Sequence, residues 1–376
     1  MNKTTKIITA AVVAVVALVG GYVMYQGSAE ANVVKIGVIG TLTGNAAYFG
    51  QQELRGVELA RDEINKNGGI NGKKVELIVE DSEASPAKAV SAVQKLIEID
   101  KVKYIVGDSW NSTVIPMLPI INENKVILIS PFAGLNQMSQ DDYFFRTIAS
   151  TKDMMDALAG YAYEKTNART VAIVQAKNPF GEEHAKYFKE AFEKLGGTVV
   201  AVEGVELAQD DVRTELVKIK AKNPDTILNI HAAGPKMGAT MKQAKELGIN
   251  VNWLGQLGAE NAALQKDYAD IADGIVYPYP FDVMSGQKEA QRFVAMYQEK
   301  YHEMPELVAA NSYDAMMVLA KTIAVVGDDT QEAKEYMGTI KDFAGAGGSL
   351  SFDQNGDAKK DIVIKTLKGG VFVKAE

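Results

Sequence analysis

Short apolar runs alternate with longer stretches of helical spacing along most of this chain, and that alternation predicts its elements. Val34–Gly40 reads as a buried strand. Ala47–Lys66 carries helical spacing through Leu54, Val57, Leu59, Ala60 and Ile64 and stops at Asn67-Gly68-Gly69. Strand Val75–Val79, helix Pro86–Ile99 with proline in its first turn, and the short strand Tyr104–Val106 follow. A helix near Thr113–Asn122, bent or shortened by Pro119, leads to strand Val126–Ile129. A second series places strands at Val171–Val174, Thr198–Val202, Thr226–Ile230 and Val251–Leu254. Its helices are Met154–Glu164, Gly181–Leu195, Val212–Ala221 and Pro235–Leu247. A last strand, Gly274–Val276, runs into Tyr277-Pro278-Tyr279-Pro280, which no helix crosses. The tail differs, with helical patterns at Gln287–Tyr301, Leu307–Val326 and Gln331–Lys341. Short strands follow at Ser349–Phe352, Ile362–Thr366 and Val371–Val373, with a turn at Asn355-Gly356. The class is α/β: two doubly wound parallel-sheet lobes sharing the chain's end.

One stretch points to chemistry. After Tyr104–Val106, Gly107 ends the strand, and Asp108, Ser109, Trp110, Asn111, Ser112 and Thr113 precede the next helix. A strand that stops at glycine and feeds a helix start presents unpaired N–H groups backed by the helix dipole. Such a terminus favours an anion, a carboxylate for instance. Ligands of open α/β sheets lie just beyond strand ends of this kind. The alternative is an ordinary βα loop with Ser112 and Thr113 as helix caps.

Composition narrows the setting. With 376 residues the chain can form two domains of ordinary size. Residues 1–31 hold Lys3 and Lys6, the apolar run Ile7–Val19, and the ending Ala29-Glu30-Ala31. That order describes a secretory signal peptide cleaved after Ala31, with an uncleaved membrane anchor as its rival. The chain has no cysteine, so neither a lipoprotein anchor nor a disulfide enters. The formal charge is −8, of which residues 1–31 contribute +1, leaving −9 beyond the leader. An acidic chain with scattered lysines argues against a nucleic-acid partner.

No catalytic or cofactor motif emerges. His184, His231 and His302 are far apart with no zinc-ligand spacing, so no metal is expected. Gly37, Gly40 and Gly44 match neither the dinucleotide fingerprint nor the phosphate loop, so no cofactor is expected either. Asp353–Asp357 resembles a calcium loop only superficially and reads as a turn. No nucleophile elbow accompanies the serines, and no enzyme is expected.

Several segments in combination carry a resemblance. Lys35–Ala60, Asn67–Gly72, Ile129-Ser130-Pro131 and Tyr143–Thr147 resemble the leucine/isoleucine/valine-binding family, type I periplasmic binding proteins that serve ABC importers. The likeness runs through nearly the whole chain beyond the leader. It implies two lobes joined by three crossovers, near Thr147–Thr151, Tyr277–Phe281 and Ser351–Gln354. Lobe 1 would be residues 33–147 with 281–350, and lobe 2 residues 151–278 with 354–376. It further implies a monomeric periplasmic carrier, importer membrane subunits as partners, and a small carboxylate-bearing ligand held in the cleft. The rival class is a membrane-tethered sensor of the same fold.

By that resemblance the carboxylate-holding loops fall on Asn111-Ser112-Thr113 and Phe132-Ala133-Gly134. Phe49 and Phe180 stand where the family often has tyrosines, which makes the cleft less polar. Trp110 is a stacking platform or packs on Pro116; Trp253 reads as core. Leu257 occupies the position of the carboxylate that pairs with an amino-acid ligand's ammonium, and His231 lies near an absent tyrosine. Burying an ammonium without a carboxylate is expensive. Either Glu260, Asp282 or Asp108 takes that role, or the ligand is an aromatic or aliphatic acid lacking an amine. Glu260 has the alternative of a solvated acid at a helix start, and His231 of an ordinary core histidine.

Overall fold

The computed structural model describes residues 32–44, 46–140, 142–231, 234–281 and 287–376. The leader read at residues 1–31 and the candidate Asp282 lie outside these. No described helix is long and apolar enough to cross a membrane.

The first sheet contains β1 (Val33–Gly40), β2 (Lys74–Asp81), β3 (Tyr104–Gly107), β4 (Ile127–Ser130) and β5 (Phe144–Arg146). Its order is β2-β1-β3-β4-β5, with every neighbour parallel. Parallel strands covered on both faces need continuous apolar runs, and β3 and β4 are buried at every position. The second sheet takes β6 (Thr170–Ala176), β7 (Thr198–Val205), β8 (Thr226–Ile230), β9 (Asn252–Gly255) and β10 (Val276–Tyr279). Along β6, Val171 and Ile173 join one apolar cluster while Ala172 and Val174 join another, as strand alternation requires of a sheet with helices on both sides. A small antiparallel sheet joins β11 (Phe343–Gly345), β12 (Gly348–Phe352) and β13 (Ala358–Lys360). The last strands, β14 (Val363–Lys368) and β15 (Val371–Lys374), add antiparallel to β10 and complete the order β15-β14-β10-β9-β8-β6-β7.

The helical tail returns to the first sheet's helices. Arg292, on helix Lys288–Tyr301, donates to both Glu63 carboxylate oxygens at 2.8 Å, and Tyr313, on helix Leu307–Val326, donates to Glu63 at 2.6 Å. Helix Ala47–Lys66 packs so closely on Leu307–Val326 that a Cβ at Gly56 would strike the Ala309 carbonyl. That return explains the helices that the second series does not need. The segment Ser351–Gln354, expected as a crossover, begins within the end of β12, and the chain enters the second sheet only at β14.

Three elements depart from the pattern-based expectation. The helix expected from Thr113 runs the full length Asn111–Asn124 with Pro116 and Pro119 inside it. Burial of Val114, Met117 and Ile121 along one face outweighs the bonds the prolines remove. Strand β10 continues through Pro278. Only Val276 pairs with β9, so at Pro278 the missing N–H removes no bond to that neighbour. Finally, β5, β11 and β13 are three residues long, too short for any period to register.

In the first sheet the chain winds outward in opposite directions from β1 and β3, and in the second from β6 and β8. Ligands of open α/β sheets sit beyond the carboxyl ends of strands at such reversals. Those ends are the loops after Gly40 and Gly107, and after Ala176 and Ile230.

Candidate functional site

The loop after β3 is held from beneath by buried polar groups. Asp108 is fully buried; its Oδ1 accepts the N–H of Ser109 at 2.5 Å and of Trp110 at 3.3 Å, and Ser82 donates to its Oδ2. Ser130, at the end of β4, donates to the Asp108 carbonyl at 2.6 Å. Ser109 donates to Glu53 at 2.6 Å. Glu53 is itself fully buried, and its carboxyl is pushed well above the usual range by burial and then by the Asp108 charge. Burial raises Asp108 too, against the hydrogen bonds that favour its charge. None of this network was anticipated, although a signal existed. Gly50, Glu53, Val57, Ala60 and Ile64 form one buried helical stripe, and Glu53 is the acid within it.

Above this floor stands an aromatic group. The Phe49 ring lies 5.5 Å from Trp110, edge-on, and 6.3 Å from Phe132. All three are half-buried. Three of the expected cleft residues, from the Ala47–Lys66 helix and from the loops after β3 and β4, therefore meet. The Trp110 indole N–H is buried and has no acceptor among the described residues.

The expected carboxylate loops are partly committed to the fold. The Thr113 hydroxyl donates to the Trp110 carbonyl at 2.9 Å, and Asn111 Oδ1 accepts the Leu135 N–H at 3.3 Å. The Ala133 N–H donates to Ser130 Oγ at 3.0 Å, and the Gly134 carbonyl accepts both the N–H and the hydroxyl of Thr151 at 3.0 Å. Ser112 remains exposed at the start of a helix whose preceding residue, Trp110, offers it no side-chain cap.

Opposite residues come from the second sheet. Phe180, half-buried at the start of helix Pro179–Lys194, sets its ring 4.1 Å from that of His184 at a tilt of 42°. Asn178 caps that helix by accepting the Gly181 N–H at 2.9 Å. His231 follows β8 and is buried, while Leu257 is half-buried in the turn after β9. Glu260 accepts from Tyr277 at 2.8 Å and pairs with Lys365 at 2.5 Å, so its charge is already compensated. A depression of about 320 Å³ bordered by Asp210, Arg213, Lys236 and Tyr268 contains none of these residues. Its cations are paired, Lys236 with Asp210 at 3.2 Å and Arg213 with Glu246 at 2.5 Å.

A buried clamp ties the end of β5 to the turn between β12 and β13. Arg146, fully buried at the end of β5, donates to Asp357 from Nε at 2.8 Å and from Nη2 at 2.5 Å, and to the Leu135 carbonyl at 2.9 Å. Its N–H reaches the Gly356 carbonyl at 3.1 Å. The segment read as a plain turn, Asp353–Asp357, is thus the anchor of this clamp. Asn136 donates its N–H to Glu183 at 2.5 Å, joining the loop after β4 to the helix that carries Phe180.

Burial also lowers the His184 pKa to about 4. An unfolded histidine takes its proton near pH 6.5, so between about 6.5 and 4 the unfolded chain binds a proton that the folded one refuses. Stability should therefore fall as pH drops through that window. His184→Leu should remove about 2 kcal/mol of the loss between pH 7 and 4.5, measured by urea unfolding. An unchanged slope would show that His184 does not titrate this way.

Two α/β units, each with a topological reversal, make a solute-binding protein of the type I periplasmic fold. A family model described as periplasmic binding protein matches residues 33–370. The leucine-, isoleucine-, valine-, threonine-, and alanine-binding protein of Pseudomonas aeruginosa is 27% identical over 346 residues, 91% of each chain. The branched-chain amino acid transporter substrate binding protein of Streptococcus pneumoniae, solved with isoleucine, is 28% identical with a TM-score of 0.81, covering 92% of this chain and 99% of its own. A solute binding protein of an ABC transporter from Rhodopseudomonas palustris, solved with 3,4-dihydroxy benzoic acid, is 26% identical with a TM-score of 0.77, covering 89% and 93%. The chain belongs to the periplasmic binding protein family, in its leucine/isoleucine/valine-binding branch, and is a substrate-binding protein of the ABC-transporter type. These relatives are named for binding solutes.

Proposed function

We propose that this protein is a periplasmic carrier, exported by its leader, that delivers a small carboxylic acid with an apolar, flat body and no amine to ABC importer subunits. The observation that carries the reading is the buried Trp110 indole N–H, without a partner among the described residues, within the Phe49–Trp110–Phe132 group. Ser112, the open first turn and the Trp110 N–H supply donors to a carboxylate, while Phe49, Phe132 and Phe180 cover its apolar body. The lack of an amine rests on Leu257, on a Glu260 already paired with Lys365, and on an Asp108 spent on Ser82, Ser109 and Trp110. Ligand contacts reaching both lobes favour a closed arrangement.

The amino-acid reading stays as second, because relatives at 27–28% identity are named for amino acids. A melting-temperature panel separates the two. A ligand at 100 times its Kd should add about 2.7 kcal/mol. Aromatic or branched aliphatic acids should raise the midpoint and their α-amino counterparts should not; the reverse order restores the amino-acid reading. If only sugars or amides stabilise, both readings fail. Ser112→Ala should weaken the best acid by about 1.5–3 kcal/mol, and an unchanged affinity would move the carboxylate elsewhere.

A further inference from the structure

His231 sits where β8 ends, at the reversal of the second sheet, and is 4% exposed. Its Nδ1 lies 2.7 Å from Asn229 Oδ1, and Asn229 Nδ2 donates to the Met237 carbonyl at 3.2 Å. Because the amide nitrogen serves a carbonyl, the atom facing the ring is the amide oxygen, which can only accept. Nδ1 therefore carries the proton, and in the neutral ring Nε2 is a bare acceptor. That Nε2 is buried and has no partner among the described residues. Buried acceptors in native proteins are nearly always matched, so one left open at the carboxyl end of a strand at the sheet's reversal, where ligands of such sheets sit, asks for a donor on the ligand.

The surroundings decide which kind of donor. Burial and the nearby Lys236 ammonium keep the ring neutral at physiological pH. Glu260, a described candidate for a cation's partner, is already paired with Lys365. A ligand ammonium would bring three donors and a charge to a single neutral acceptor. A hydroxyl brings one donor and no charge. We infer that His231 Nε2 accepts a hydrogen bond from a hydroxyl at the end of the ligand away from its carboxylate, so the ligand class is hydroxylated carboxylic acids. This inference rests on the carboxylate reading above.

Calorimetric titration of the full protein with matched pairs tests it: benzoate against 3- and 4-hydroxybenzoate, phenylacetate against 4-hydroxyphenylacetate, and hexanoate against 6-hydroxyhexanoate. In at least one pair the hydroxylated acid should bind roughly tenfold or more tightly than its parent, as a site with a buried acceptor requires. His231→Leu should abolish that preference, bringing the two acids of a pair within about twofold of each other. No preference in any pair overturns the inference. So does a preference that survives His231→Leu, or a variant that weakens parent and hydroxylated acids equally, since that is a structural role. Should the variant not fold, nitrogen NMR of the wild-type imidazole reads Nε2 directly. Its resonance must move with the hydroxylated acid and not with the parent; identical responses overturn the inference. If no acid of either kind binds, the carboxylate reading itself fails.

Discussion

Arg146→Leu should cost about 3–5 kcal/mol, because it leaves Asp357 buried without its partner. Arg146 is fully buried and Asp357 is 4% exposed, so water cannot take over the lost charge contact. The loss reaches beyond the pair. The same guanidinium donates to the Leu135 carbonyl at 2.9 Å and to Ser139, holding the loop that continues from Phe132. Its carboxylate partner belongs to the Asp353–Asp357 turn, where Asp353 Oδ1 accepts the N–H groups of Asn355 at 2.9 Å and Asp357 at 3.1 Å. Urea unfolding of Arg146→Leu, and of Arg146→Leu with Asp357→Leu, separates the stranded charge from the lost links. The double variant should recover part of the loss, since no charge is then stranded. A single-variant loss under about 1 kcal/mol, the size of an exposed pair, would deny that the clamp is dry.

The second large effect is expected at Gly107. Its φ is +105°, a conformation side chains rarely adopt, and a Cβ there would strike the Ile39 carbonyl and meet Glu53 Oε1 at 2.5 Å. Gly107→Ala therefore combines backbone strain with overpacking, for a total of about 3 kcal/mol. It also displaces the Asp108–Trp110 segment, so ligand affinity should fall along with stability. Gly274 is the control, with φ +84° and open space around it. Gly274→Ala should lose only the conformational part, about 1 kcal/mol. Equal losses at the two positions would mean that the close approach to β1 and Glu53 carries no weight.

Arg146 lies where reading the chain alone had least to say, whereas Gly107 already reads as the end of a strand. Asp353–Asp357 reads as a turn, and Arg146 figures only within the Tyr143–Thr147 segment of the resemblance, with no role assigned. Their pairing spans 211 positions and leaves no local trace. Glu53 differs, since its place in the stripe Gly50–Glu53–Val57–Ala60 is visible in the spacing. What is not visible is that Asp108 and Ser109 come up beneath it. The aromatic group was half legible. Phe49, Trp110 and Phe132 could each be nominated, whereas their meeting needed β1 and β3 to be neighbours with β4 alongside.

By itself the sequence determined the class of the fold. The alternation of short apolar runs with helical stripes leaves little choice but parallel sheets covered on both faces, because period and length are local properties written in consecutive residues. It also determined that Gly107 through Thr113 form a strand end feeding a helix start. Tertiary structure alone decided which donors of that helix start stay open. The Thr113 hydroxyl and the Trp110 backbone N–H are spent on the Trp110 carbonyl and Asp108, while the Trp110 indole N–H has no partner among the described residues. It likewise decided that Glu260 is neutralised by Lys365 and that His231 keeps a bare acceptor. Whether a polar group is satisfied depends on partners brought together by packing, and those partners lie far apart along the chain.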